Sequence, residues 1–300
     1  MISLGREGTC SLEGRLKSSA KPEVAATVQV GGVRFGNQAP IVVIGGVNVL
    51  EDLDTALRVG ECFASAAEAY RMGLVFKASF DKANRSSHAS YRGPGLSAGL
   101  EMLAGIKRRL GVPILTDVHE RDQCSQVAEV ADILQIPAFL SRQTDLLEAV
   151  ARTTRPAHVK KMQGMAPGDM RNVVDKFVAL GGSLLMLCER GTTFGYNQLI
   201  VDPLSFAELK RSGCPVTFDV SHSLQLPGAL GNATGGRRER AQSLAIAGVS
   251  QGLAGLFIEA HPDPDKAPCD GPCAIPLAEV KGLLRRVKVL DDVIKSTVFE

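Results

Sequence analysis

The chain lacks the features that mark a membrane or nucleic-acid protein. No apolar run approaches the roughly 20 residues that an α-helix needs to cross a bilayer. Neither sign of charge is in surplus: 34 Lys and Arg stand against 32 Asp and Glu, a formal +2. The basic excess that nucleic acid or an anionic membrane selects is missing. The first residues have no apolar core of the secretory kind. Glu7, Glu13 and Glu23, set among Arg6, Arg15, Lys17 and Lys21, are too many acids for a transit peptide. Residues 1–26 are therefore expected to form a mobile extension. Seven cysteines show no C-x-x-C pair, and Cys269 and Cys273 have no second pair with which to build a zinc site. Reduced thiols in a cytosolic protein are the expectation. A GxxxxGK[ST] loop is absent, Gly45-Gly46-Val47-Asn48 is too short for a dinucleotide fingerprint, and there is no GxSxG elbow.

What is present is a long alternation of short apolar runs with helical stripes. Hydrophobic residues make up 45% of 300 residues, enough for one large core, and an α/β barrel takes about 250 residues. Thr27–Phe35, with Gly31-Gly32 between two alternating runs, reads as a hairpin able to plug one end of a barrel. The expected strands are Ile41–Ile44, Leu74–Phe76, Pro113–Leu115, Ile133–Ile136, His158–Lys161, Ser183–Leu187, Val216–Val220 and Gly255–Ile258. Apolar runs of this kind, buried on both faces, suit a parallel sheet. Helical stripes separate them, from about Asp52–Met72 through to Leu277–Ile294. Leu96, Leu100, Leu103, Ile106 and Leu110 carry one; Pro167 opens another as an N1 residue. Eight strand–helix units imply right-handed crossovers and a closed (β/α)8 barrel over residues 27–300. An open doubly wound sheet is the alternative.

Polar residues collect where the strands end: Asn48, Lys77, Asp117 with His119, Gln135, Lys160, Arg190, His222, and Glu259 with His261. In a barrel these ends meet on the face where active sites lie. Any one of them has an ordinary explanation, a helix cap or a snorkelling surface lysine. Together they describe a site. The densest stretch is Phe76–Ser87, FKASFDKANRSS, where Lys77, Lys82 and Arg85 alternate with Ser79, Asn84, Ser86 and Ser87, and Asp81 is the one carboxylate. Cations interleaved with hydroxyl and amide donors suit a phosphate. With Lys160 and Arg190, at least five positive charges are aimed at one cavity, which favours polyanions carrying one or two phosphates and a carboxylate. Asp117, Glu259 and Asp270 are the carboxylates expected to balance them. His222, Glu259 and Asp270 could form a facial metal set, but Asn48 would be a feeble fourth donor to a soft or borderline metal, so tight metal binding is the less favoured reading.

The motifs FKASFDKANRSS, YRGPGL, TDVHE, QIPAFLSRQTDLL, ERGTTFGYNQLIVD, FDVSHSLQ, GGRRE, GLFIEAHPDP and CDGP resemble those of the 3-deoxy-D-manno-octulosonate 8-phosphate synthases. The likeness runs from about Pro40 to Ile294. It implies a (β/α)8 barrel, usually a homotetramer, in a cytoplasm of Gram-negative type. The implied reaction condenses phosphoenolpyruvate with D-arabinose 5-phosphate and water, for the inner core of lipopolysaccharide. By motif, Lys160 and Arg190 would bind the phosphate of phosphoenolpyruvate with Gln135, Ala138 and Lys82. Asn84, Arg85 and Ser86 would hold the pentose phosphate, with Lys77 and Ser79 in the same binding stretch. Arg142 would complete that pocket from a neighbouring subunit. Asp117 and His222 would sit near the reacting carbons, with Asn48, Lys82, Glu259 and Asp270 in the catalytic set.

The family has a metal-dependent branch with Cys at the position of Asn48 and a branch with Asn that needs no metal; Asn48 resembles the latter, and no cofactor is expected. The strand-five segment KKMQGMAP departs from the usual pattern at Met162. NATGGRR departs from the usual A-S-G-G form, though Thr234 keeps a hydroxyl. The alternatives are the related synthase that uses erythrose 4-phosphate, which typically carries a KPRTS-like motif where KANRSS stands here, and a barrel that binds sugar phosphate without turnover. A sialic-acid-type synthase fits less well, since its aldose lacks the phosphate.

Overall fold

The computed structural model describes residues 23–229 and 234–297. Strand β1 (Thr27–Val30) pairs antiparallel with β2 (Val33–Gly36), Val30 opposite Val33. Gly31 takes a positive φ of 54° in the two-residue turn, which a side chain would resist. Alternation turns Val28, Val30, Val33 and Phe35 to one buried face.

Eight strands follow, each with its helix: β3 (Val42–Val49) and α1 (Leu53–Ala69), β4 (Gly73–Ser79) and α2 (Leu96–Leu110), β5 (Ile114–Asp117) and α3 (Gln123–Val130), β6 (Ile133–Ile136) and α4 (Thr144–Arg152). Then come β7 (Ala157–Lys160) and α5 (Met170–Ala179), β8 (Leu185–Glu189) and α6 (Leu204–Lys210), β9 (Val216–Asp219) and α7 (Ala241–Val249), β10 (Gly255–His261) and α8 (Val280–Ser296). Each strand pairs parallel with its neighbours. The ring closes where β10 meets β3, Phe257 opposite Ile44. This is the expected (β/α)8 barrel.

Several bounds differ from those read in the sequence, with local reasons. β3 continues through Gly45-Gly46. A Cβ on Gly45 would lie 2.4 Å from the Phe63 ring, and one on Gly46 only 1.9 Å from the Lys77 carbonyl oxygen. The two glycines let α1 and β4 close on the strand, and the register slips between Gly46 and Val49. β8 begins two residues later than expected, because the Ser183 carbonyl accepts from Ala25 N–H before the ladder starts. Glu189, beyond the end of the expected strand, is thereby a strand residue. β10 runs on to His261 and carries Glu259 on a rigid element. Of the expected extension, residues 1–22 lie outside the described residues, as do Asn232 and Ala233 of NATGGRR.

The core has two shells. The helices pack on the outside of the strands in one continuous cluster. Inside, the hairpin residues join Val42, Ile44, Val75, Leu115, Ile133, Met186, Ala254 and Phe257. The hairpin approaches strand starts: Val33 neighbours Gly73, and Phe35 neighbours Gly255. It seals the N-terminal end, so the opposite end is left for the site. Among the described residues no helix is long and apolar enough to cross a membrane, and none of the cysteines is in a disulfide.

Candidate active site

The strand ends bring Asn48, Lys77, Asp117, Gln135, Lys160, Arg190, His222 and Glu259 to one face, all of them buried. Three linked groups organise them.

The first surrounds Asn48. Its amide Nδ2 donates to Glu259 Oε2 at 2.7 Å and to Asp270 Oδ2 at 3.1 Å, and lies 3.4 Å from His222 Nε2. Its Oδ1 is buried without a partner among the described residues. The amide nitrogen therefore lies among His222, Glu259 and Asp270 and answers two carboxylates with N–H groups. Among the described residues no three His, Cys, Asp or Glu side chains are arranged to hold a metal ion. Glu259 also accepts from Lys77 Nζ at 2.6 Å, and Lys77 donates to the Asn48 carbonyl at 2.9 Å. Lys77, read as a substrate contact, is here held beneath Asn48 and is 1% exposed. Burial pushes its ammonium down to about 8 against the pull of Glu259. Burial would raise Glu259, but His222, Lys77 and Lys82 outweigh it and bring the carboxyl down to about 2.

The second group is built on Asp219. Lys160 Nζ donates to Asp219 Oδ2, and His222 Nδ1 lies 2.8 Å from the same oxygen. Asp219 Oδ1 accepts from the His222 backbone N–H at 2.9 Å. Burial opposes the Asp219 charge, yet His222 and Lys160 hold it well below the usual carboxylate range. The Lys160 ammonium sits 3.7 Å from the centroid of the Phe257 ring, which forms the floor. Beside it Arg190 donates from Nη2 to Gln225 Oε1 at 2.6 Å, while its Nη1 is buried with no partner among the described residues. A buried guanidinium with a free donor is a socket for an oxyanion. Glu189 shapes that socket: one carboxylate oxygen accepts from the Arg190 and Gly191 backbone N–H groups at 2.9 and 2.7 Å and lies 3.4 Å from Lys161.

The third group joins β5 to the FKASFDKANRSS loop. His119 Nε2 is 3.1 Å from Asp117 Oδ2. Burial works against the Asp117 charge, but Lys82 and His119 keep it well below its ordinary range. Lys82 is nearly buried; Asp117 and Glu259 overcome the cost of burial and hold its pKa above that of a free lysine. The loop is pinned by a bidentate pair, Arg92 Nε and Nη2 on the two Asp81 oxygens at 2.8 and 2.5 Å. Asn84, Arg85 and Ser86 then line a cavity of about 200 Å³ with Gln225, Thr234, Cys269 and Asp270. Arg85 Nη1 donates to the Pro268 carbonyl at 3.0 Å. Ser79 is buried with its hydroxyl unpartnered among the described residues, and Ala138 is buried. Arg142 is exposed on the turn before α4, outside this cavity. His261 Nε2 lies 2.9 Å from Glu51 Oε1, tying the end of β10 to the end of β3.

Sequence reasoning missed Asp219, Glu189, Lys161, Gln225 and Phe257. It counted too few carboxylates: Asp219 and Glu189, not only Asp117, Glu259 and Asp270, balance the cations. The two-residue phase of β9, with Thr217 and Asp219 on one face, was the available signal for Asp219. Phe257 carried none, being one apolar residue in an apolar strand.

An eight-stranded parallel barrel whose one open mouth gathers lysine, arginine and carboxylate in this order is an enzyme for anionic substrates. The chain belongs to the DAHP synthetase I family, whose model matches residues 17–296, and within it to the 2-dehydro-3-deoxyphosphooctonate aldolases. It is 54% identical over 270 residues to the aldolase of that name from Hahella chejuensis, covering 90% of this chain and 96% of that one. It is 52% identical over 271 residues to the one from Marinobacter nauticus, with 90% and 96% covered. The Shewanella oneidensis protein of the same name is 51% identical over 269 residues, with 90% and 95% covered.

Proposed function

We infer that the protein condenses phosphoenolpyruvate with D-arabinose 5-phosphate and water, releasing inorganic phosphate and 3-deoxy-D-manno-octulosonate 8-phosphate. The observation that carries this is the convergence of Lys82, Arg85, Lys160 and Arg190 on one mouth, in a chain more than half identical to aldolases of that name. Carbon 3 of the enol phosphate forms the new bond to the aldehyde carbon. The aldehyde oxygen becomes an alkoxide and takes a proton. Water adds at carbon 2 and gives up a proton, and the bond from carbon 2 to the phosphate oxygen breaks.

In this reading Lys160 and Arg190 take the enol phosphate and its developing charge, while Arg85, Asn84 and Ser86 take the aldose phosphate. Two anions that repel in water are thus held face to face, a source of rate worth up to about 7–11 kcal/mol in well-oriented cases. His222, facing Asp219 through Nδ1 and Asn48 through Nε2, is the assigned proton donor to the alkoxide. The donor set favours chemistry without a metal: the Asn48 amide already satisfies Glu259 and Asp270 with hydrogen bonds. Arg142 is assigned to the aldose phosphate of a neighbouring subunit in a homotetramer. A cytoplasmic place in lipopolysaccharide synthesis belongs to the same reading.

Phosphate release should occur with arabinose 5-phosphate and be weak with erythrose 4-phosphate. Preference for the four-carbon sugar would overturn the assignment. A chelator should leave the rate unchanged; loss of activity restored by a divalent ion would sink the metal-free reading alone.

A further inference from the structure

His158 is wholly buried inside the barrel, one rung below Lys160 on β7. Its ring stacks on Phe257 with centroids 6.4 Å apart and planes 10° from parallel. Nδ1 lies 3.1 Å from Gln135 Oε1, and Nε2 lies 2.8 Å from Thr217 Oγ1. Burial and the neighbouring Lys160 charge push its pKa down to about 3, so the ring is neutral and carries one N–H. That single proton has two possible places with opposite consequences. On Nδ1 it is donated to Gln135 Oε1, and Thr217 donates to Nε2. On Nε2 it goes to Thr217, whose hydroxyl then donates to the Leu187 carbonyl at 3.2 Å. Nδ1 would then be a bare lone pair facing Gln135, and the amide would have to turn over.

The turn matters at the mouth. Gln135 is the next-to-last residue of β6, opposite Asp117. With Oε1 on His158, the Nε2 amide has no bond among the described residues, nor is it a sealed unpartnered atom. It is left at the strand end as a free donor. Turned over, the amide would offer an anionic substrate a carbonyl oxygen instead.

We propose that His158 is a positioning residue: its Nδ1–H holds the Gln135 carbonyl, so that Gln135 presents its NH2 group to the anionic substrate at the mouth. The proposal rests on the reading that phosphoenolpyruvate binds there.

His158→Phe keeps a ring on Phe257 and removes the donor; His158→Asn keeps an N–H near the place of Nδ1. The Phe variant should raise KM for phosphoenolpyruvate about tenfold, the loss expected from one hydrogen bond to charge, with kcat changed less than about twofold. The Asn variant should recover most of the affinity. In a Gln135→Met background, the Phe substitution should add nothing, because the group it positions is gone. A purely structural role predicts the same proportional loss in both backgrounds, and that result overturns the proposal, as does a Gln135→Met enzyme with unaltered KM. Should the Phe variant fail to fold, the ring nitrogen shifts of ¹⁵N-labelled wild type decide: protonated Nδ1 supports the proposal and protonated Nε2 ends it. Wild type inactive with phosphoenolpyruvate would count against the assigned reaction, and the nitrogen shifts would still judge the tautomer.

Discussion

Lys160 and Asp219 show what a single site residue does for both folding and chemistry. Lys160 is nearly buried and Asp219 wholly so, and removing one partner of such a pair leaves an uncompensated charge. Lys160→Met should cost about 3–5 kcal/mol in denaturant unfolding and abolish turnover. Adding Asp219→Asn should return most of the stability and none of the activity, because the cation that meets the substrate is still missing. A double variant no more stable than the single one would show that the pair is not coupled. Glu259 gives a pH signature. Its folded pKa of about 2 lies below the ordinary 4.5, so its stabilisation is complete above pH 4.5 and is lost as the pH falls towards 2. The gap amounts to about 3 kcal/mol. Glu259→Gln should be less stable than wild type at neutral pH by this order, and the two stability curves should converge by about pH 2. Curves that stay parallel would show that the carboxylate is not held down by its neighbours. Asn48, Asp117, Lys160, Arg190, His222 and Glu259 were readable as candidates because polar residues recur at the end of strand after strand, and Lys82 because of the motif in its loop. Asp219 and Glu189 were not, since their inward phase depends on strand bounds that a sequence gives only to within a few residues.

At the scale of elements, the barrel depends on where side chains are missing. Gly46 stands against the Lys77 carbonyl of the next strand, and a methyl group there would overlap it. Gly46→Ala must push β3 away from β4 at the point that carries Asn48 and Lys77. A loss of at least about 3 kcal/mol is expected, together with loss of turnover even in folded material. Gly105, inside α2, meets nothing within 4 Å. Gly105→Ala should therefore stabilise by about 0.5–1 kcal/mol and leave turnover alone. Chemical denaturation of the two variants checks both signs; equal effects would mean that glycine acts here only through chain entropy. The strand–helix order was legible because apolar runs alternate with helical stripes throughout. The bound of β3 was not, because Gly-Gly reads as a break in one dimension and serves as a close contact in three. The hairpin was legible as a plug from its alternation alone, whereas the late start of β8 depends on Ala25, more than 150 residues away in the chain.

For the whole molecule, the open question is whether one chain makes one site. The mouth holds Lys160, Arg190 and the Asn84–Ser86 cavity within a single barrel, while Arg142 projects from the turn before α4 and stands outside that cavity. If Arg142 serves a neighbour, the functional unit is the oligomer, and defects in two residues can be separated by chain. Arg142→Ala and Lys160→Met should each be nearly inactive at aldose phosphate concentrations that saturate wild type. When the two variants are unfolded together and reassembled, some mouths combine an intact Lys160 from one chain with an intact Arg142 from its partner. Those mouths should turn over, so the mixture should recover on the order of a quarter of wild-type activity when assembly is random, a simple pairing count for sites built from two chains. Separately refolded variants mixed afterwards should recover nothing until subunits exchange. If Arg142 acts within its own chain, no reassembled mouth contains both residues and the mixture stays inactive. If Arg142 plays no part in binding, the Arg142→Ala protein alone retains activity before any mixing.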